Sequence, residues 1–157
     1  LPQGATGRPL PAPQEIAGLH AALTVKVAVV GAHLSGMPLN GQLIERGARL
    51  VAAARTAPHY RLFALPGTVP PKPGLVRVAA NAGARIDIEI WELPIERYGS
   101  FVALVPAPLT IGTLELEDGT QVQGFVCEAI ATEGAQDISH HGGWRRYVES
   151  RNMESPR

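Results

Sequence analysis

The stretch Arg85-Ile86-Asp87-Ile88-Glu89-Ile90 alternates charged and branched apolar residues without a break. Side chains along a strand point to opposite faces in turn, so this pattern fits a strand with one buried face and not the stripe of a helix. At Ile90-Trp91 the phase changes and Leu93 joins Trp91, which requires a bulge or a strand covered on both faces. The same grammar recurs in short runs. Val25 to Val30 is β-rich and stops at Gly31, as a buried strand does. Arg49 to Ala54, Tyr60 to Leu65 and Leu75 to Val78 read as further strands. Leu109 to Glu117 and Gln121 to Cys127 flank Asp118-Gly119, a two-residue hairpin signal. The 17 glycines and 14 prolines keep these runs short. Helical spacing is confined to Leu39, Leu43 and Ile44 (with Pro38 before and Gly47 after), to a short helix within Pro94 to Leu104, and to a terminal helix inside Asp137 to Val148. The expected fold is α+β: a small curled or barrel-like mixed β-sheet with short helices.

A chain of 157 residues suits one domain and needs no disulfide or metal staple. Pro2, Pro9, Pro11 and Pro13 mark residues 1–18 as a Pro-rich linker. Residues 20–149 form the folded unit, and 150–157 a polar tail. The chain opens on Leu1 and its first methionine is Met37, which suggests a piece of a longer polypeptide. The 14 Lys+Arg balance 14 Asp+Glu, so the charge excess of a nucleic-acid binder is missing. No apolar run has the length of a membrane span, and no targeting segment is evident, which points to the cytoplasm. A single cysteine, Cys127, excludes an internal disulfide and a cysteine-built zinc site. His140-His141 lack further ligands, so neither metal nor cofactor is expected.

Three places can carry chemistry. In Gly31-Ala32-His33-Leu34-Ser35-Gly36, two glycines let consecutive N–H groups face an anion, and His33 can exchange a proton near neutral pH. The competing reading is a turn histidine bonded to backbone. Tyr98-Gly99-Ser100-Phe101 offers two hydroxyls beside a glycine, or else an ordinary turn with Tyr98 on the core. Arg55, Arg61, Lys72 and Arg77, with Tyr60, lie at strand ends and in a proline-rich loop, where they face a pocket or only solvent. Cys127 reads as a core thiol, and Trp144 with Tyr147 as the packing face of the terminal helix. On residues alone, the chain is a small mixed-sheet domain with a candidate anion pocket.

Four blocks add a resemblance. Val-Ala-Val-Val-Gly-Ala-His-Leu-Ser-Gly-Met-Pro-Leu-Asn (27–40), Lys-Pro-Gly-Leu-Val-Arg-Val (72–78), Tyr-Gly-Ser-Phe-Val-Ala-Leu-Val-Pro-Ala-Pro-Leu (98–109) and Gly-Gly-Trp-Arg-Arg-Tyr (142–147) resemble the C-terminal domain of allophanate hydrolase, over about residues 24–149. The resemblance implies a γ-glutamyl cyclotransferase-like fold. It also implies a decarboxylase-type step in urea and allophanate degradation, in which N-carboxycarbamate from an amidase domain is broken down to ammonia and CO2. The Gly/Ser-rich stretch of that amidase is absent here, so the hydrolytic step falls to another domain. By the same resemblance Gly31-Ala32-His33-Leu34 matches the substrate loop of the cyclotransferases, whereas their catalytic acid has no counterpart in Tyr98 to Thr110. His33 is then the expected proton carrier. The expected substrate contacts are Gly31, Ala32, Leu34, Arg55, Tyr60, Lys72, Arg77, Tyr98, Gly99 and Ser100. Expected partners are a small anionic substrate and the amidase domain of the same enzyme, with urea carboxylase and a second copy of the chain as further candidates. The alternatives are a non-catalytic docking or oligomerisation module, and a cyclotransferase drawing its acid from Glu89, Glu92 or Glu128.

Overall fold

The computed structural model describes residues 23–154; the linker expected over residues 1–18 lies outside them. In chain order the elements are β1 (Thr24–Val29), α1 (Asn40–Ile44), β2 (Arg49–Arg55), β3 (Tyr60–Ala64), β4 (Pro73–Arg77), β5 (Asp87–Pro94), α2 (Ile95–Val102), β6 (Leu109–Glu115), β7 (Gln121–Cys127), a 3-10 turn (Ala129–Thr132), β8 (Gln136–Asp137), a second 3-10 turn (Ser139–His141) and α3 (Trp144–Glu154). Five strands form one mixed sheet in the order β2-β5-β1-β7-β6, and β4-β3-β8 form a smaller one.

β1 is central because its run is apolar on both faces. Val27, Ala28 and Val29 are all buried, with β5 antiparallel on one side and β7 parallel on the other. A strand flanked and covered in this way reads as a continuous hydrophobic run. The phase change at Ile90-Trp91 has both anticipated causes. β5 buries Ile88 on one face and Glu89, Trp91 and Leu93 on the other. The bulge lies on the neighbouring strand: pairing jumps from Leu50↔Trp91 to Ala52↔Ile90, leaving Val51 as the extra residue.

The sheet curls without closing into a barrel. Its outer strands β2 and β6 meet just past their ends, where Thr56 bridges Leu116 and the Ala57 N–H donates to the Glu115 carbonyl at 2.9 Å. Three further corrections apply to local detail. The β6–β7 hairpin has a three-residue loop, because the Leu116 N–H donates to Thr120 O at 2.8 Å and the Gly119 N–H to Leu116 O at 2.9 Å. Gly119, at φ +88°, supplies the left-handed residue that such a loop needs after a tight turn. Tyr98 and Gly99 are helical residues of α2 and not a turn. α3 runs on to Glu154, into the stretch assigned to the tail, with Trp144 and Tyr147 buried against the core.

Candidate functional site

The loop between β1 and α1 folds back on itself. The Leu34 N–H donates to Gly31 O at 3.0 Å, the Met37 N–H to Leu34 O at 2.9 Å, and the Leu39 N–H to Ala32 O at 2.8 Å. Gly31 is there because the Pro73 ring of β4 occupies the space a Cβ would fill. This seats the loop against the start of β4 and places Lys72 beside it.

His33 is 8% exposed. Its ring stacks on Phe125 at 4.9 Å between centroids and meets Phe101 edge-on at 5.3 Å. Its carbonyl accepts from Asn40 Nδ2–H at 2.8 Å, and Nε2–H donates to Gln42 Oε1 at 2.7 Å. Ring plane, backbone and one ring nitrogen are therefore all fixed. Burial lowers the imidazole's proton affinity below the ordinary value of 6.5; the Gln42 hydrogen bond opposes this, and the Lys72 charge adds to the lowering. His33 is thus held neutral at pH 7. With Gly31, Ala32, Leu39, Lys72, Leu104, Pro106 and Phe125 it lines a cavity of about 30 Å³, room for one water molecule.

The other side of the same loop opens on a cleft of about 520 Å³. Its floor is Glu89, which is 8% exposed. Glu89 Oε1 accepts the Ser35 N–H at 2.8 Å, the Ser35 hydroxyl at 3.0 Å and the Trp91 indole N–H at 3.1 Å. Arg145 lies 3.5 Å from Glu89 Oε2 and donates to Ser35 O at 2.6 Å. Both rim arginines are already paired, Arg146 with Asp87 at 3.2 Å and Arg55 with Glu117 at 3.1 Å. With Arg55, Arg145 and Arg146 facing Asp87, Glu89, Glu117 and Glu149, the cleft has no positive excess to draw in a small dianion. The His33 cavity carries the positive Lys72.

The structure brings only part of the expected set together. Gly31, Ala32, His33 and Lys72 share the small cavity. Leu34 and Arg55 line the cleft instead, and the Leu34 N–H is committed to Gly31 O, which removes it from the expected row of anion donors. Tyr60 is a fully buried core residue whose hydroxyl accepts the Glu115 N–H at 2.9 Å. Arg77 covers the Tyr60 ring at 5.2 Å and lies 3.6 Å from Glu115. Arg61 pairs with Asp137 at 3.1 Å. Tyr98 donates to Gln123 Oε1 at 3.1 Å, while Ser100 donates to the Arg97 carbonyl at 3.0 Å, both on α2 with Gly99 and outside the His33 cavity. Asn40, Gln42 and Arg145, which hold the loop and the His33 ring, are not among the expected site residues. Glu89 enters the sequence reading only as an alternative acid, although its place on the Trp91–Leu93 face marks it as inward-facing. No group of three or more metal-ligating side chains occurs among the described residues, and no helix there is long and apolar enough to cross a membrane.

The fold is γ-glutamyl cyclotransferase-like. A solved structure titled "Gamma-glutamyl cyclotransferase" superposes with a TM-score of 0.51 at 10% identity, covering 73% of this chain and 69% of that one, a likeness of fold alone. The family model of the allophanate hydrolase C-terminal domain matches residues 25–149, and the chain belongs to that family. A urea amidolyase of Lachancea kluyveri is 42% identical over 134 residues, 83% of this chain but 7% of that protein. The allophanate hydrolase of Kluyveromyces lactis superposes with a TM-score of 0.79 at 44% identity, over 82% of this chain and 21% of that one. The chain thus spans a small fraction of the relatives it matches.

Proposed function

We propose that this domain decarboxylates N-carboxycarbamate, the dianion formed when an amidase domain acts on allophanate, in the cytoplasmic breakdown of urea to ammonia and CO2. The observation that carries the reading is a buried, neutral His33 sharing a cavity with Lys72, in a chain of the allophanate hydrolase C-terminal family. The amidase domain of the same enzyme is the partner that supplies the substrate; urea carboxylase and a second copy of the chain are further candidates.

Breaking an N–CO2 bond leaves the bonding electron pair on nitrogen, and a proton must meet it. One proton and the dianion give CO2 and carbamate; carbamate then takes up a second proton and separates into ammonia and CO2. In the empty site, burial and Lys72 keep His33 unprotonated. A bound dianion reverses the local field, so the imidazole gains a proton as the substrate arrives and can deliver it to nitrogen. Lys72 holds a carboxylate as a point charge. Two carboxylates on one nitrogen exceed the volume of a water molecule several times, so entry requires the Lys72-Pro73 and Leu104–Pro106 walls to part.

The test supplies the intermediate in place. An amidase domain is run in excess on allophanate, with and without this chain, and CO2 release is followed by stopped flow. The chain is expected to speed release above the spontaneous rate, and His33→Ala to remove about 10²- to 10⁴-fold of that acceleration. Release at the spontaneous rate with the intact chain overturns the reading.

A further inference from the structure

His33 has two ring nitrogens, and the reaction can use only one of them. Gln42 Oε1 has lone pairs and no hydrogen, so at 2.7 Å it requires the ring hydrogen to be on Nε2. Among the described residues Nδ1 has no hydrogen-bond partner, which leaves it as the nitrogen able to exchange a proton. The backbone that carries Gln42 is tied down from the following turn. Arg46 Nη1–H donates to the Gln42 backbone carbonyl at 2.9 Å, and Arg46 Nε–H to Ser100 Oγ at 2.9 Å. Ser100, expected among the substrate contacts, therefore ties the turn that follows α1 to α2.

We propose that Gln42 is the positioning residue of His33: its side-chain carbonyl holds the ring hydrogen on Nε2 and reserves Nδ1 for the guest. The inference rests on the reading of His33 as proton carrier. An amide suits this role better than a carboxylate. Both fix the tautomer, but a carboxylate would also stabilise the imidazolium and retain the proton that the reaction must release. Lys72 is the charged group that acts on the ring; the stacked neighbours Phe101 and Phe125 carry no charge.

The test uses Gln42→Glu and Gln42→Leu in the full chain, read by ¹⁵N NMR of the His33 ring and by the pH profile of CO2 release with excess amidase. In Gln42→Glu the His33 titration is expected to move up by about one pH unit or more, and the alkaline limb of the profile to move with it. In Gln42→Leu the ¹⁵N shifts are expected to show hydrogen on both nitrogens in exchange, with the other backbone amide peaks in place as the check on folding. A ring with unchanged tautomer and titration in both variants overturns the proposal. A ring that responds while the profile stays put upholds the Gln42 contact and overturns His33 as the proton carrier.

Discussion

Glu89 and Ser35, 54 residues apart, are joined twice: one carboxylate oxygen accepts both the backbone N–H of Ser35 at 2.8 Å and its hydroxyl at 3.0 Å. The bond fastens the loop that carries His33 to the central sheet at β5. It also explains how a charge survives inside an apolar face. The same oxygen takes the Trp91 indole N–H, and Arg145 faces the other, so the carboxylate is hydrogen-bonded and has an opposite charge close by.

Removing that carboxylate leaves the buried Trp91 indole N–H and the half-buried Ser35 N–H without an acceptor, the first at about 1–3 kcal/mol and the second at about 1 kcal/mol. Glu89→Ala is expected to lower stability by about 2–4 kcal/mol, and Glu89→Gln, which keeps one acceptor oxygen, by roughly half as much. Urea unfolding monitored by tryptophan fluorescence reads both. An Ala variant with the wild-type midpoint would show that the loop does not depend on this anchor.

The depressed proton affinity of His33 makes stability depend on pH in a fixed direction. The unfolded chain takes up a proton near 6.5, the folded chain only at lower pH. Between the two values the unfolded state binds more protons, so this contribution is complete above 6.5 and declines as the pH falls towards the folded-state value. His33→Gln lacks the group. The difference in urea midpoint between wild type and variant should therefore be constant from pH 7 to 8 and shift against the wild type below about 6.5. A difference that stays constant down to pH 5 contradicts the neutral, buried imidazole.

Lys72 contributes to both charge effects. Lys72→Met removes the cation that faces His33 and keeps the stem length. The His33 titration should move up, because a like-charge neighbour is gone. Saturation with the dianion should need about tenfold more substrate, the loss of one charge-assisted contact. NMR titration and the concentration dependence of CO2 release measure the two separately. If both are unchanged, Lys72 only lines the wall.

How much of this was legible in the chain depends on the range of the physics. Alternation at 85–90 and the Val25–Val30 run are local signals, and both became strands beside one another. The phase slip at Ile90-Trp91 foretold a bulge, yet its location on β2 depends on pairing between residues some 40 positions apart, which local patterning does not encode. His33 stood out because its residue type and the flanking glycines are both local. Tyr60 and Ser100 share its polar chemistry, but the fold sends Tyr60 into the core and Ser100 onto α2, where it meets Arg46. Gln42 carries no charge and belongs to no familiar catalytic pattern; only the folded geometry reveals it at the ring.

Gly31 joins fold and site in one position. Its φ is not in the left-handed region that favours glycine, so alanine has no backbone objection there. The obstacle is steric: an added Cβ would overlap the Pro73 ring. Overpacking of this kind typically costs about 1–3 kcal/mol, and here it would push β4, with Lys72 at its start, away from His33. Gly31→Ala should therefore lose stability and slow CO2 release together. Because the clash is with Pro73 specifically, Pro73→Ala in the Gly31→Ala background should recover much of the lost stability, a coupling that independent sites do not show. The four proteins of this cycle, compared by urea unfolding, decide the matter: strictly additive losses would mean that glycine is needed at residue 31 for some reason other than the approach of the Pro73 ring.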